Sequence, residues 1–257
     1  MSAAPQPTHP APPNQAQNAT HAAHALHHHG KHTEHHFAAS DRVRDIVIGM
    51  ADGLTVPFAL AAGITGASVA IDIIVTAGIA EIAAGSIAMG LGGYLAGRTE
   101  HQHYHAEAAR EEMEIINVPH RERREVIDIM AQYGVREEEC APMLAGLERD
   151  PKAWRDFMMR FELGLEEPNP SAAKKSAATI ALSYLIGGFI PLAPYMFFKT
   201  PNTALAVSAG VTLTALFIFG YFKGHFTGTG ALNSAFQTLA IGSLAAGAAF
   251  LLARVIS

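Results

Sequence analysis

This sequence has little charge, one cysteine and no nucleotide-binding loop, and each shortage closes off a class of protein. Asp, Glu, Lys and Arg make up 16% of its 257 residues, against about 25% in an ordinary soluble domain. The deficit is local. Residues 46–97 carry only Asp52, Asp72 and Glu81, and residues 176–257 carry only Lys199, Lys223 and Arg254. A soluble helical protein would lay charge along one stripe of every helix. A bilayer imposes segregation instead, because a charge at its centre costs roughly 2.5–3.5 kcal/mol on insertion scales. The lone Cys140 excludes an internal disulfide framework and a Cys-based zinc site, and reads as an ordinary free thiol. Neither a Gly-x-x-x-x-Gly-Lys-Ser/Thr loop nor a Gly-x-Gly-x-x-Gly after a strand occurs, so ATP-driven chemistry within the chain is not expected. No Ser/His/Asp arrangement suggests an enzyme, and nothing calls for a prosthetic group. A net charge of −5 speaks against nucleic acid as a partner.

What is present is apolar and periodic. Residues 1–40 form a His-rich tail expected to be disordered; nine of the 14 histidines lie within its first 36 residues, a composition that can collect metal ions or simply stay solvated. It lacks the basic-then-apolar pattern of a cleaved signal peptide. Five apolar segments follow, at about 46–66, 71–97, 176–198, 203–222 and 233–253, each near the roughly 20 residues that cross a hydrocarbon core. The second is long enough to tilt or project beyond it. Pro57, Gly187, Gly188, Pro191 and Pro194 lie inside these segments, where neighbouring helices can satisfy the freed carbonyls. Gly85, Met89, Gly93 and Gly97 recur at helical spacing and permit close helix contact. All but two of the 18 Lys and Arg residues fall on one side of a five-span topology, which makes that side, with the N-terminus, cytoplasmic. The expected organisation is therefore all-α: spans one and two within 41–97, a charged cytoplasmic helical domain at 98–172, and spans three to five within 173–257. Pro119, Gly134, Pro142 and Pro151 divide the charged domain into helices near 98–116, 120–133, 136–148 and 152–163.

Acidic residues inside the apolar segments are the first candidates for chemistry. Asp52 precedes Pro57 in the first segment, and Asp45 shares its face at the cytoplasmic entry; Glu81 sits mid-way along the second, with Met89 two turns later. An intramembrane carboxylate is a functional hypothesis by default, although a protonated one can simply bond a neighbouring helix. A thioether among hard oxygens favours a transition metal over calcium or magnesium. In the charged domain Glu111 and Glu114, and then Glu122 and Glu125, stand three apart, while Met158, Met159 and Glu162 share the last helix. Pairs at this spacing share a helix face, so two adjacent helices could aim four carboxylates into one gap, as iron- and manganese-binding bundles do. The same spacing suits a solvated face paired with Arg110, Arg121, Arg123 or Arg124, and spacing alone leaves both open. His101, His103 and His105 alternate, which points them to different faces and makes them a poor single site. With no nucleotide site, an ion gradient is the expected energy source, and buried carboxylates suit proton carriage.

Residues 45–63 (DIVIGMADGLTVPFALAAG) and 76–94 (TAGIAEIAAGSIAMGLGGY) resemble the first two spans of the vacuolar iron transporter family. Residues 154–166 (WRDFMMRFELGLE) are similar to the end of that family's cytoplasmic metal-binding domain, and 187–195 (GGFIPLAPY) to its third span. The resemblance covers about residues 41–255. It implies a homodimer of five-span protomers that exchanges ferrous iron for protons along a path at the dimer interface. By position, Asp52 and Met89 would line that path with Asp45 and Glu81 assisting, and Glu111, Glu114, Glu122, Glu125, Met158, Met159 and Glu162 would collect metal. The membrane would be the plasma membrane in a bacterium and the vacuolar membrane in a eukaryote. Manganese is a second candidate cargo, since both metals accept carboxylates. A membrane-anchored metal buffer or sensor could use the same glutamates, but gives no reason for acids inside the bilayer.

Overall fold

The computed structural model describes residues 36–257, with side chains from Asp41 onward; the tail expected at 1–40 lies almost wholly outside the described residues. Every described element is helical: α1 His36–Gly66, α2 Ile71–Asn117, α3 Pro119–Gln132, α4 Glu137–Leu147, α5 Pro151–Phe161, α6 Ala172–Phe197, α7 Pro201–Thr227 and α8 Ala231–Ile256. Five of these, α1, α2, α6, α7 and α8, are long and apolar enough to cross a membrane. Their outward faces carry exposed Ile87, Leu91, Leu182, Ile186, Leu244 and Val255, a surface that water would not tolerate at this extent but lipid does. The chain is a multi-pass membrane protein.

Small residues set how the long helices meet. Gly97 abuts Ala173, Gly93 abuts Ile180 and Gly78 abuts Leu192, so α2 and α6 run antiparallel along the glycine row read from the sequence. Gly49 and Gly53 of α1 press on Ile180 and Tyr184, a parallel register with α6. A Cβ on Gly187 would stand 3.1 Å from the carbonyl carbon of Gly53, so these two backbones touch where no larger residue fits. Pro57 leaves the Gly53 carbonyl without its usual donor four residues on, in that same contact. Hydroxyls satisfy part of the buried polarity: Ser208 donates to the Pro191 carbonyl at 2.7 Å, and Thr65 pairs with the Tyr195 hydroxyl at 3.1 Å.

The structure differs from the expected helix list in one respect. The helix predicted at 98–116 is no separate element; it continues the second span as a single 47-residue α2. At 1.5 Å per residue that is about 70 Å, more than twice the hydrocarbon thickness. The change from apolar to charged residues at Arg98 changes the solvent around the helix without breaking its backbone. Its far end packs with α3, α4 and α5 around a core of Ile115, Val126, Ile129, Cys140, Leu144, Trp154 and Met158. Pro119 and Pro151 occupy the first turns of α3 and α5, and Asp150 caps α5 by accepting from the Ala153 amide at 3.1 Å.

Candidate metal centre and ion path

Two Glu pairs are brought face to face by the reversal at Val118. Glu111 and Glu114 come from the last turns of α2, Glu122 and Glu125 from the first turns of α3, and Glu162 from the C-terminal cap of α5. Carboxylate oxygens of Glu111, Glu114 and Glu122 lie within 4.8 Å of one another, and so do those of Glu122, Glu125 and Glu162. Glu122 is common to both groups. It is 0% exposed, and Glu111 is 1% exposed. Among the described residues neither Glu122 oxygen has a hydrogen-bond partner, and Glu111 Oε2 has none. An ionised carboxylate so placed is expensive unless a cation or proton joins it.

Arginines satisfy only the rim. Arg121 donates to Glu125 at 3.0 Å, and Arg110 approaches Glu107, Glu111 and Glu114 at 2.7, 3.5 and 3.7 Å. Arg123 and Arg124 turn away to Glu148 and Glu137. The solvated-face alternative therefore fails for Glu122. Burial pushes Glu122 up to about 7, reinforced by the charges of Glu125, Glu111, Glu114 and Glu162. Burial likewise lifts Glu111 to about 7, with Glu162 and Glu114 adding to it and Arg110 opposing. Glu162, at the exposed edge, is raised by burial and then by Glu125. Chemically this is a hard, oxygen-rich carboxylate cluster, suited to a divalent cation. Met158 and Met159 are both buried, Met158 within the apolar core beside Ile115 and Val126, and Met159 against Tyr104 and Ala108.

One expectation is corrected. His101 and His105 do not point to different faces: their Nε2 atoms stand 3.2 Å apart, with ring centroids at 4.3 Å. Only His103 is separate, 4.0 Å from Glu107. Alternation divides residues two apart, but at 3.6 residues per turn it returns residues four apart to one side.

In the apolar bundle, Glu81 Oε1 accepts a hydrogen bond from the Tyr184 hydroxyl, while its Oε2 is buried without a partner among the described residues. The Tyr184 ring lies over Gly85, one turn along α2, where any Cβ would collide with it. Tyr184 went unnoticed in the sequence. The available signal was a tyrosine within an apolar segment, whose hydroxyl must find a partner. Asp45 is 3% exposed, and its neighbour Arg44 reaches it at 3.3 Å. Asp52 lies on the exterior of the bundle, with no hydrogen bond or ion pair among the described residues. Met89 is half-buried on α2.

Five bilayer-length helices, with acids along them and a buried carboxylate cluster beyond them, define a multi-pass membrane protein. A sequence model of the VIT family matches residues 43–254. Vacuolar iron transporter 1 of Arabidopsis thaliana is 57% identical over 225 residues, which is 88% of this chain and 90% of that one. Vacuolar iron transporter 1 of Oryza sativa subsp. japonica is 55% identical over 228 residues, covering 89% and 90%. Protein CCC1 of Saccharomyces cerevisiae is 36% identical over 222 residues, covering 83% and 69%. The chain belongs to the VIT family.

Proposed function

We propose that this chain carries ferrous iron out of the cytoplasm, with manganese as a second cargo, in exchange for protons. Residues 98–172 form its cytoplasmic metal-collecting domain. The observation that carries the reading is Glu122, a fully buried carboxylate with no partner on either oxygen among the described residues, surrounded by four more glutamates. Fe²⁺ replaces the protons held by Glu111 and Glu122, is handed along Glu114, Glu125 and Glu162, and passes to Asp45 and Asp52. Met158 and Met159 lend thioether ligands when the cluster loads, and Met89 does so in the path. Glu81, with Tyr184 holding one of its oxygens, takes up returning protons and loosens the metal before exit.

Two protomers enclose the path. The support is Asp52, which the protomer leaves on its apolar exterior; a carboxylate facing lipid is too costly to keep, whereas one facing a second copy lines a shared channel. The names of the relatives, vacuolar iron transporters, support iron as the cargo and the vacuolar membrane as its place in a eukaryote. The test is metal uptake by purified protein in liposomes under an imposed pH gradient. Uptake should need the gradient and vanish in Asp52→Asn. Metal bound by the protein but never accumulated in the lumen would favour a buffer and end the transport reading.

A further inference from the structure

We infer that His101 and His105 form a second metal site, separate from the carboxylate cluster and selective for borderline transition metals. The two imidazoles stand one turn apart on the continuous α2, between its apolar stretch and Glu111. Their Nε2 atoms are 3.2 Å apart. Two histidine nitrogens at 2.0–2.1 Å from one ion are separated by about 2.9 Å in an octahedral cis arrangement and about 3.3 Å in a tetrahedral one. The observed spacing lies between, so a metal can enter with only a slight rotation of the rings. The α2 backbone fixes both positions, which removes most of the ordering entropy that a pair on a loop would lose.

The chemistry balances without a redox partner. With Nε2–H on one ring, the neutral pair shares a hydrogen bond between its two Nε2 atoms. On binding, that ring moves its proton to Nδ1, both Nε2 lone pairs face the ion, and no proton is released. Water fills the remaining positions. Imidazole favours Fe²⁺, Co²⁺, Ni²⁺, Cu²⁺ and Zn²⁺ over Mn²⁺ and Mg²⁺, which prefer oxygen. His105 precedes Glu111 by six residues, about 9 Å along the axis and a third of a turn around it. The pair is thus a neighbour of the glutamate cluster, not a member of it. It needs no transport in order to bind.

The experiment uses the full chain in detergent with Zn²⁺ as probe and Mn²⁺ as the hard comparator. Acylation of each histidine by diethyl pyrocarbonate is followed by peptide mass spectrometry, so the histidines of residues 1–36 are read separately. Zn²⁺ should slow labelling of His101 and His105 together and leave His103 unaffected, while Mn²⁺ should protect neither. In His101→Ala, protection of His105 should require roughly tenfold more Zn²⁺, because one of two linked metal bonds is lost; His105→Ala should do the same to His101. The double variant Glu111→Gln/Glu122→Gln should keep the protection. Labelling indifferent to Zn²⁺, unchanged protection in both single alanine variants, equal protection of His103 or by Mn²⁺, or loss of protection in the glutamate variant would each overturn the site.

Discussion

Replacing Glu122 by Gln isolates the electrostatic strain among the clustered carboxylates. Burial and the neighbouring carboxylates push the carboxyl up to about 7 in the folded protein, from 4.5 when free of it. Full expression of that difference disfavours the ionised folded form by about 3 kcal/mol; screening by solvent at the rim brings the working figure to roughly 1–3 kcal/mol. Below pH 4.5 the group is protonated in both folded and unfolded chains, so the penalty is absent. It grows as pH rises toward 7, because the unfolded chain ionises first, and is complete above that. Metal-free wild type should therefore lose stability between about pH 4.5 and 7 and then level off. Glu122→Gln should show a shallower fall and, relative to wild type, gain several degrees in unfolding midpoint between pH 5 and pH 8. The amide leaves its own polar atoms unpartnered, but that deficit is the same at both pH values and cancels. Trp154 is the protein's single tryptophan and sits in the apolar core with Ile115, Val126 and Met158, residues of the three helices that carry the glutamates, so its fluorescence during thermal unfolding in detergent reports that domain. Saturating Mn²⁺ should reverse the order: wild type gains about 2.7 kcal/mol at a hundred times Kd, and the variant much less. A wild-type midpoint that ignores pH, or a variant equally shifted at pH 5 and 8, would refute the reasoning.

The remaining expectations concern metal and proton handling. Mn²⁺ affinity measured by calorimetry should rise between pH 6 and 7.5 and flatten above about 8, since protons compete at Glu111 and Glu122 only up to their values near 7; a pH-independent affinity would count against those two groups as ligands. Asp52→Asn and Met89→Ala should each abolish liposome uptake while leaving the unfolding midpoint within a degree or two, and full activity in both would remove them from the path. Tyr184→Phe removes the donor to Glu81, a loss of about 1.5–3 kcal/mol where the acceptor is charged; uptake should shift its dependence on the imposed pH, and an unaltered profile would mean that the bond is structural only. Gly85→Val should be worse than Tyr184→Phe, because the new side chain displaces the whole ring, and equal effects would show that the ring's position is irrelevant.

Features carried by neighbours in sequence were legible before any coordinates. The five spans follow from apolar runs, and the two Glu pairs from three-residue spacing, because both are properties of a single helix. Helix continuity across residues 97–98 was not legible. Composition reports the solvent on each side of that boundary, whereas the backbone breaks only where a residue removes hydrogen bonds; Gly97 alone costs about 1 kcal/mol, too little to stop α2. The expectation for His101, His103 and His105 fails on period: the two-residue alternation separates neighbours, whereas the four-residue spacing sets His101 and His105 on one side.

The harder losses lie in through-space pairing. Tyr184 and Glu81 are 103 residues apart, and nothing local to either names the other. That Glu122 rather than Glu114 or Glu125 is the partnerless carboxylate depends on which arginines swing toward α4, a contest settled only when the helices pack. The same limit explains Asp52. Its presence in an apolar span announces that something must meet it, and its exposure on the protomer says that the something is not another side chain of the same bundle. A residue whose charge is costly both in lipid and in an apolar core is kept stable only by what arrives from outside. The position of Asp52 on the exterior is therefore the support for the proposed second protomer, and no pattern along the chain supplies it.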